Sequence, residues 1–88
     1  LLRQRITLGT VDIVGEDSLV GKTVQLRNAR DWSNRNDKWM PKTIPVKMRV
    51  EKALIIKDDK VISWDELKQG DNIYSVRDDF EGKFLIVK

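Results

Sequence analysis

Two tryptophans in a basic segment are the residues best suited to bind a partner. Trp32 and Trp39 lie seven positions apart and are interleaved with Arg30, Arg35 and Lys38. This arrangement suits single-stranded nucleic acid, because bases stack on the rings while the cations bind phosphates. Tryptophan and arginine are also enriched in protein–protein hot spots. A third interpretation is that the rings fold back on the domain as lids and anchor their own loop.

The positive charge of the chain is concentrated around these tryptophans. The chain has 17 basic and 14 acidic residues and a formal net charge of +3. Seven of the basic residues and two of the acidic ones fall within residues 27–49, so this stretch carries +5 and the remainder carries −2. A local positive patch attracts anionic partners. Besides the cations beside the tryptophans, it contains Arg27, Lys42, Lys47 and Arg49.

The chain lacks two of the residue types on which catalysis commonly depends. The 88 residues include no His and no Cys, which removes the commonest general base, the thiol nucleophile and the usual zinc ligands. Gly21-Lys22-Thr23 looks like the end of a phosphate-binding loop, but the upstream glycine of that motif is missing. No apolar run approaches the roughly 20 residues needed to span a bilayer. We therefore predict a non-catalytic protein with no cofactor, no metal site and no membrane-inserted segment.

Apolar residues alternate with polar ones along most of the chain, which predicts strands rather than helices. The predicted strands cover residues 4–14, 22–27, 44–57, 72–77 and 83–88. Gly9 predicts a bend in the first of them. The polar segment 28–43, which carries both tryptophans, is predicted to be a long loop, and such loops are usually functional or mobile. The Ser63–Glu66 spacing of a capping box predicts a short helical turn that Gly70 ends.

Alternate residues of the third predicted strand are expected to build the core. Val46, Met48 and Val50 would face inward, and Leu54 and Ile56 would keep the same phase beyond Lys52. Ala53 and Ile55 are apolar as well, so the alternative is that both faces of this end of the strand are covered. Trp64 at the start of the helical turn and Leu67 are expected to plug the barrel, because an apolar stripe usually packs inward.

The order of these elements predicts an all-β fold, a small five-stranded OB-like (Greek-key) barrel with one short helical turn between strands 3 and 4. Closure of such a barrel removes exposed strand edges. A small SH3-like barrel is the alternative. An OB-fold binds oligonucleotides on the outer face of strands 2 and 3, where Gln25, Arg27, Lys47 and Arg49 are predicted to lie. The same residues would also suit an ordinary solvated face.

The stretch Ile55-Ile56-Lys57-Asp58-Asp59-Lys60-Val61-Ile62-Ser63-Trp64-Asp65-Glu66-Leu67-Lys68-Gln69-Gly70-Asp71 resembles a pattern of small OB-like domains in bacterial, often extracytoplasmic, proteins. In that pattern a strand and a D-x-K turn precede an S-x-x-x-L-K-x-G-D turn of helix. The resemblance covers about a fifth of the chain. It implies the barrel fold and favours an extracytoplasmic over a cytoplasmic parent protein, but it implies no ligand residues.

Together these observations predict a single domain over residues 1–88 that serves as a binding or interaction module. Because the chain opens on Leu1 and not on Met, we expect it to be excised from a longer protein. A protein partner, bound in protein–protein or assembly contacts, is the leading hypothesis. Single-stranded nucleic acid, bound through the tryptophan segment and the strand 2–3 face, is the alternative. A purely structural spacer domain is a third class. The candidate binding residues are Arg27, Arg30, Trp32, Arg35, Lys38, Trp39, Lys47 and Arg49.

Overall fold

A computed structural model describes residues 4–88, which contain eight strands in one sheet and a turn of 3-10 helix at Trp64–Glu66. The strands are β1 (Gln4–Asp17), β2 (Gly21–Ser33), β3 (Lys38–Pro41), β4 (Val46–Arg49), β5 (Leu54–Lys57), β6 (Lys60–Ile62), β7 (Asn72–Asp78) and β8 (Glu81–Val87). The helical turn lies between β6 and β7. The prediction of strands rather than helices from the period-two pattern is therefore confirmed.

Five barrel strands close on one another. Strand β1 pairs with β2 and with β7, and β7 pairs with β8. Strands β4 and β5 together form the third barrel strand, which pairs with β2 on one side and runs parallel to β8 on the other. This parallel contact closes the barrel. The prediction of a small OB-like barrel with a helical turn after its third strand is confirmed. Strands β3 and β6 are additions that extend the hairpins of β2 and β5.

The first two strands bend together near Gly9. A Cβ atom at Gly9 would lie 2.8 Å from the Cβ atom of Leu26, so a larger residue would force these strands apart. On the facing strand, Asn28 has a left-handed φ of 53°. The pairing shifts there, since Thr10 is opposite Arg27 whereas Leu8 is opposite Arg30. Strand β2 thus has one extra residue, a β-bulge that sharpens the bend.

The barrel interior holds a continuous apolar core. Its fully buried side chains include Val11, Val24, Leu26, Met48, Ile73 and Leu85. Leu67 is also buried, and Trp64 packs against the core from one side while its Nε1 donates to the carbonyl of Thr23 at 3.0 Å. The predicted plug is therefore present. The helical turn begins as predicted, with the Glu66 carboxylate accepting a hydrogen bond from the Ser63 N–H at 2.9 Å.

The prediction of a long loop over residues 28–43 is wrong. Strand β2 continues to Ser33, a four-residue turn follows, and β3 pairs back along it. The alternation of inward and outward side chains persists through this hairpin, but its inward positions carry Ala29 and Asp31 rather than large apolar residues. An inward carboxylate removes the hydrophobic signal on which a strand prediction depends.

The predicted phase of the third barrel strand is correct only in its first half. Val46, Met48 and Val50 face inward, as expected. A turn at residues 51–53 then separates β4 from β5 and reverses the phase. Ile55 is buried, whereas Leu54 is 42% exposed and points outward.

Candidate functional site

Trp32 and Trp39 lie directly opposite each other on β2 and β3. Their ring centroids are 5.4 Å apart and the ring planes make an angle of 71°, which is an edge-to-face arrangement. The Nε1 of Trp32 donates to the Asn34 side-chain oxygen at 2.9 Å, across the hairpin turn. Both rings are partly buried, and neither belongs to the buried core cluster. Trp64, not this pair, packs on the core.

An apolar row leads from the tryptophan pair across the outside of the barrel. Ile6 on β1 is opposite Val76 on β7, and Val76 is opposite Phe84 on β8. Phe84 is in turn opposite Leu54 on β5. At the other end of the row, Ile6, Val76 and Trp32 line a common cleft of about 590 Å³.

A second apolar row runs beside the first. Leu8 is opposite Tyr74, Tyr74 is opposite Ile86, and Ile86 is opposite Ile56. The row ends at Arg30, which is opposite Leu8 on the other side. We call the two rows the outer face; its members are Ile6, Leu8, Trp32, Trp39, Leu54, Ile56, Tyr74, Val76, Phe84 and Ile86.

The side chains between these positions point into the barrel. Thr7, Ser75 and Leu85, which alternate with outer-face residues on β1, β7 and β8, are completely buried. An antiparallel sheet with one face in water normally carries polar side chains on that face. Here the water-facing side is apolar on strand after strand, with Leu54 exposed and the other nine members of the outer face half-buried. Contiguous apolar surface that remains accessible marks interaction sites in soluble proteins.

At one end of the barrel the usual polarity is inverted, with polar groups inside. Asp31 is 8% exposed, and its carboxylate accepts hydrogen bonds from the hydroxyl of Thr7 at 2.5 Å and from Nη2 of Arg77 at 3.1 Å. The Nε of Arg77 donates to the Thr7 hydroxyl at 2.8 Å, and the Nζ of Lys42 lies 3.6 Å from the Asp31 carboxylate. Burial alone would raise the pKa of Asp31, but the Thr7 hydrogen bond and the charges of Arg77 and Lys42 outweigh it and lower that pKa.

Sequence reasoning did not find this polar network or most of the outer face. In β7 the inward-facing residues Ile73, Ser75 and Arg77 alternate with Tyr74 and Val76. This alternation could have predicted that the Arg77 side chain faces inward. Apolar residues also occur on both faces of β7, which could have indicated that both faces of the sheet are covered.

Two predicted basic residues of the strand 2–3 face have acidic partners. Arg27 lies on β2, where its Nη1 is 3.8 Å from the carboxylate of Asp12. Arg49 lies on β4, where its Nε donates to the Glu81 carboxylate at 2.8 Å. These ion pairs take up charge that a polyanion would otherwise use.

Lys47, the third predicted cation of that face, points outward from β4 opposite Gln25. The pKa of Asp17 is lowered, first by hydrogen bonds from the N–H groups of Leu19 and Val20 and also by the charge of Lys47. Lys47 is exposed and forms no ion pair within residues 4–88. The structure brings Arg27, Lys47 and Arg49 to one region of the barrel, in which the two arginines have carboxylate partners.

The cations of the tryptophan hairpin differ in this respect. Arg30, Arg35 and Lys38 are exposed, and within residues 4–88 no ion pair joins any of them to a carboxylate. Arg30 stands at the end of the second apolar row, while Arg35 lies in the hairpin turn and Lys38 begins β3. The predicted site residues thus divide into a hairpin group and a strand group whose two arginines are paired with carboxylates.

No protein-family model, curated protein or solved structure matches this chain. No helix within residues 4–88 is long and apolar enough to cross a lipid bilayer. The function proposed below therefore rests on the geometry of the described residues.

Proposed function

We propose that this domain is a non-catalytic protein-binding module that docks a partner on its outer face, with the Trp32–Trp39 pair as the anchor. The inverted polarity of the barrel carries this proposal. Thr7 and Arg77 occupy the inside, while their sequence neighbours Ile6 and Val76 lie on the outside in line with Trp32. A sheet that directs its apolar side chains outward gains their burial only when another surface covers them.

The composition of the outer face matches a protein interface. The centre of such an interface is apolar and enriched in aromatic residues, and its hot spots favour Trp, Tyr and Arg. The outer face offers Trp32, Trp39, Tyr74 and Phe84 within aliphatic rows, and Arg30 adjoins it. Indole pairs fixed edge to face lose little conformational entropy when a partner packs on them.

The same surface is less suited to bind single-stranded nucleic acid. Base stacking needs open ring faces beside cations that follow the phosphates. The tryptophans pack edge to face on each other. Arg30, Arg35 and Lys38 beside them have no carboxylate partner within residues 4–88, but Arg27 and Arg49 of the strand 2–3 face already pair with Asp12 and Glu81. The aliphatic rows neither stack bases nor bind phosphates. These observations favour a protein partner.

A peptide selection tests the proposal without knowledge of the natural partner. Random peptides are selected on the wild-type domain, and the affinities of the enriched peptides are measured by Trp fluorescence. We expect Trp32→Ala and Trp39→Ala each to weaken binding by about tenfold or more, as loss of a hot-spot residue does. Phe80→Ala is the matched control, because Phe80 is an aromatic residue 40% exposed in the β7–β8 turn and outside the outer face.

Two results would contradict the proposal. Peptides whose affinity is lowered by Phe80→Ala and unchanged by the Trp32 and Trp39 substitutions would place the binding surface elsewhere. Salt-sensitive binding of oligothymidylate that both tryptophan substitutions abolish, with no enrichment of peptides, would establish the nucleic-acid alternative. Circular dichroism of each variant confirms that the barrel is folded.

A further inference from the structure

The β2 bulge opens a small cleft beside the second apolar row. Asn28, the extra residue of the bulge, has a φ of 53°, and the strand on either side changes its pairing with β1. The cleft has a volume of about 310 Å³. It is lined by Leu8, Gly9, Thr10, Asn28, Arg30, Asn72, Ile73 and Lys88. Bulges often re-aim side chains at functional sites.

The polar side chains of this cleft are suited to an anion. Arg30 and Lys88 contribute two cations, and none of the lining side chains is a carboxylate. The hydroxyl of Thr10 donates to the Asn72 side-chain oxygen at 3.0 Å, which fixes that amide and leaves its NH₂ group as a donor. Asn28 supplies a second amide. The side chains of the cleft therefore present hydrogen-bond donors and positive charge, with no carboxylate side chain among them.

The neighbours of the cleft narrow the class of ligand. Leu8 lines it and is opposite Tyr74, so the cleft borders the second apolar row of the outer face. The Nζ of Lys88 lies 5.7 Å from the centroid of the Tyr74 ring. Leu8 and Arg30 both line the cleft, so an apolar side chain and a planar guanidinium are available to the same ligand. A carboxylate beside an apolar group has this chemistry, since a guanidinium binds both carboxylate oxygens at once.

We infer that the bulge cleft binds a carboxylate of the partner, so that the partner is an apolar protein segment carrying an Asp or Glu. The inference rests on the proposed function and names the chemistry of its partner.

A pair of matched small molecules tests the cleft directly. 4-Phenylbutyrate joins an aromatic group to a carboxylate, and 4-phenylbutyramide replaces the charge by a neutral amide of similar shape. Each is titrated into the labelled domain and followed by amide chemical shifts. We expect phenylbutyrate to bind with a Kd of about 1–10 mM. The largest shift changes should fall at Thr10, Asn28 and Asn72, and the neutral amide should bind about fivefold more weakly.

Arg30→Gln should remove the preference for the carboxylate. Arg27→Gln is the matched control, because Arg27 is an exposed β2 arginine that pairs with Asp12 and does not line the cleft. The control should leave the fivefold preference unchanged. Equal binding of the acid and the amide, or shift changes that avoid the cleft, would overturn the inference. Inorganic phosphate that binds at these residues more tightly than phenylbutyrate would also overturn it, in favour of a phosphate ligand.

The two proposals fail separately. If the selected peptides depend on Trp32 and Trp39 but tolerate Arg30→Gln and replacement of their acidic residues by amides, the docking proposal stands and the carboxylate inference is wrong. If phenylbutyrate binds at Arg30 as expected but no peptide binding depends on the tryptophans, the cleft binds carboxylates and the docking proposal is wrong.

Discussion

Replacing Arg77 by methionine should destabilise the domain by about 3 kcal/mol. The Arg77 side chain is 9% exposed and that of Asp31 is 12% exposed, so the ion pair between them is largely removed from water. The guanidinium also donates to Thr7 and to the carbonyl of Asp79 at 2.7 Å. Breaking a buried pair from one side costs about 3–5 kcal/mol. Lys42, 3.6 Å from the stranded carboxylate, places the cost at the lower end of that range.

Urea denaturation at pH 7, followed by tryptophan fluorescence, measures this loss. For a domain of this size it corresponds to a fall in Tm of about 12–24 °C. Arg5→Met is the control, because Arg5 is half exposed and its Nε is 3.9 Å from the Asp79 carboxylate. That exposed pair should be worth less than about 1 kcal/mol.

Replacing the whole network with apolar residues of similar volume, as Thr7→Val, Asp31→Leu and Arg77→Met together, should cost less than Arg77→Met alone, because no charge is left buried. A loss below about 1 kcal/mol for Arg77→Met would refute the account, since a desolvated pair cannot be broken so cheaply. It would also mean that the far part of β2 does not direct Asp31 inward.

Three further outcomes are expected. The pKa of Asp31 in the folded protein lies below the ordinary value of 3.8. The stability that this carboxylate contributes is therefore complete above pH 3.8 and is lost as the pH falls through the lower folded pKa. In urea titrations, Asp31→Asn should be less stable than the wild type at pH 7 and should lose less stability between about pH 4 and pH 2. Gly9→Ala should lower stability by about 1–3 kcal/mol in the same assay, because the new Cβ would lie 2.8 Å from that of Leu26, and an unchanged midpoint would contradict the close approach. Trp39→Ala should abolish the far-ultraviolet couplet of two coupled indoles and cost about 0.5–1.5 kcal/mol beyond the lost area; a spectrum unchanged by the substitution would show that Trp32 and Trp39 do not pack together.

The sequence predicted those parts of the fold in which apolar residues lie inside. Val24 and Leu26, or Val46 and Met48, alternate with polar residues and are buried as expected. Gly9 marked a real bend because a strand that must approach Leu26 has no room for a side chain. The period-two pattern, the glycines and the capping signal were therefore enough for the barrel and its helical turn.

The errors lie where long-range contacts override the local pattern. Asp31 reads as a loop residue until Arg77, 46 positions later, supplies its counter-charge inside the barrel. No local rule connects the two. Leu54 was placed inside because the turn at residues 51–53 and its phase reversal leave no period-two signal of their own.

The candidate site was predicted in part for the same reason. Trp32, Trp39 and Arg30 stood out by residue type alone, and the structure places them at one end of the outer face. Arg27 and Arg49 were predicted with equal weight, yet their value to a partner depends on Asp12 and Glu81, which only the folded chain brings near. Charge counted along a sequence cannot distinguish a paired cation from an unpaired one.

The polar residues inside one end of the barrel explain why apolar residues remain on the outside there. In β1 a shift of one residue would turn Ile6 inward and Thr7 outward. The folded register does the opposite, and the polar network inside supports that register, because a shift would take the Thr7 hydroxyl away from the Asp31 carboxylate and the Arg77 guanidinium. A buried ion pair adds little net stability over an apolar replacement, and fixing register is its best-attested use. Here the fixed register keeps Ile6 beside Trp32 on the outside, where a partner can cover them.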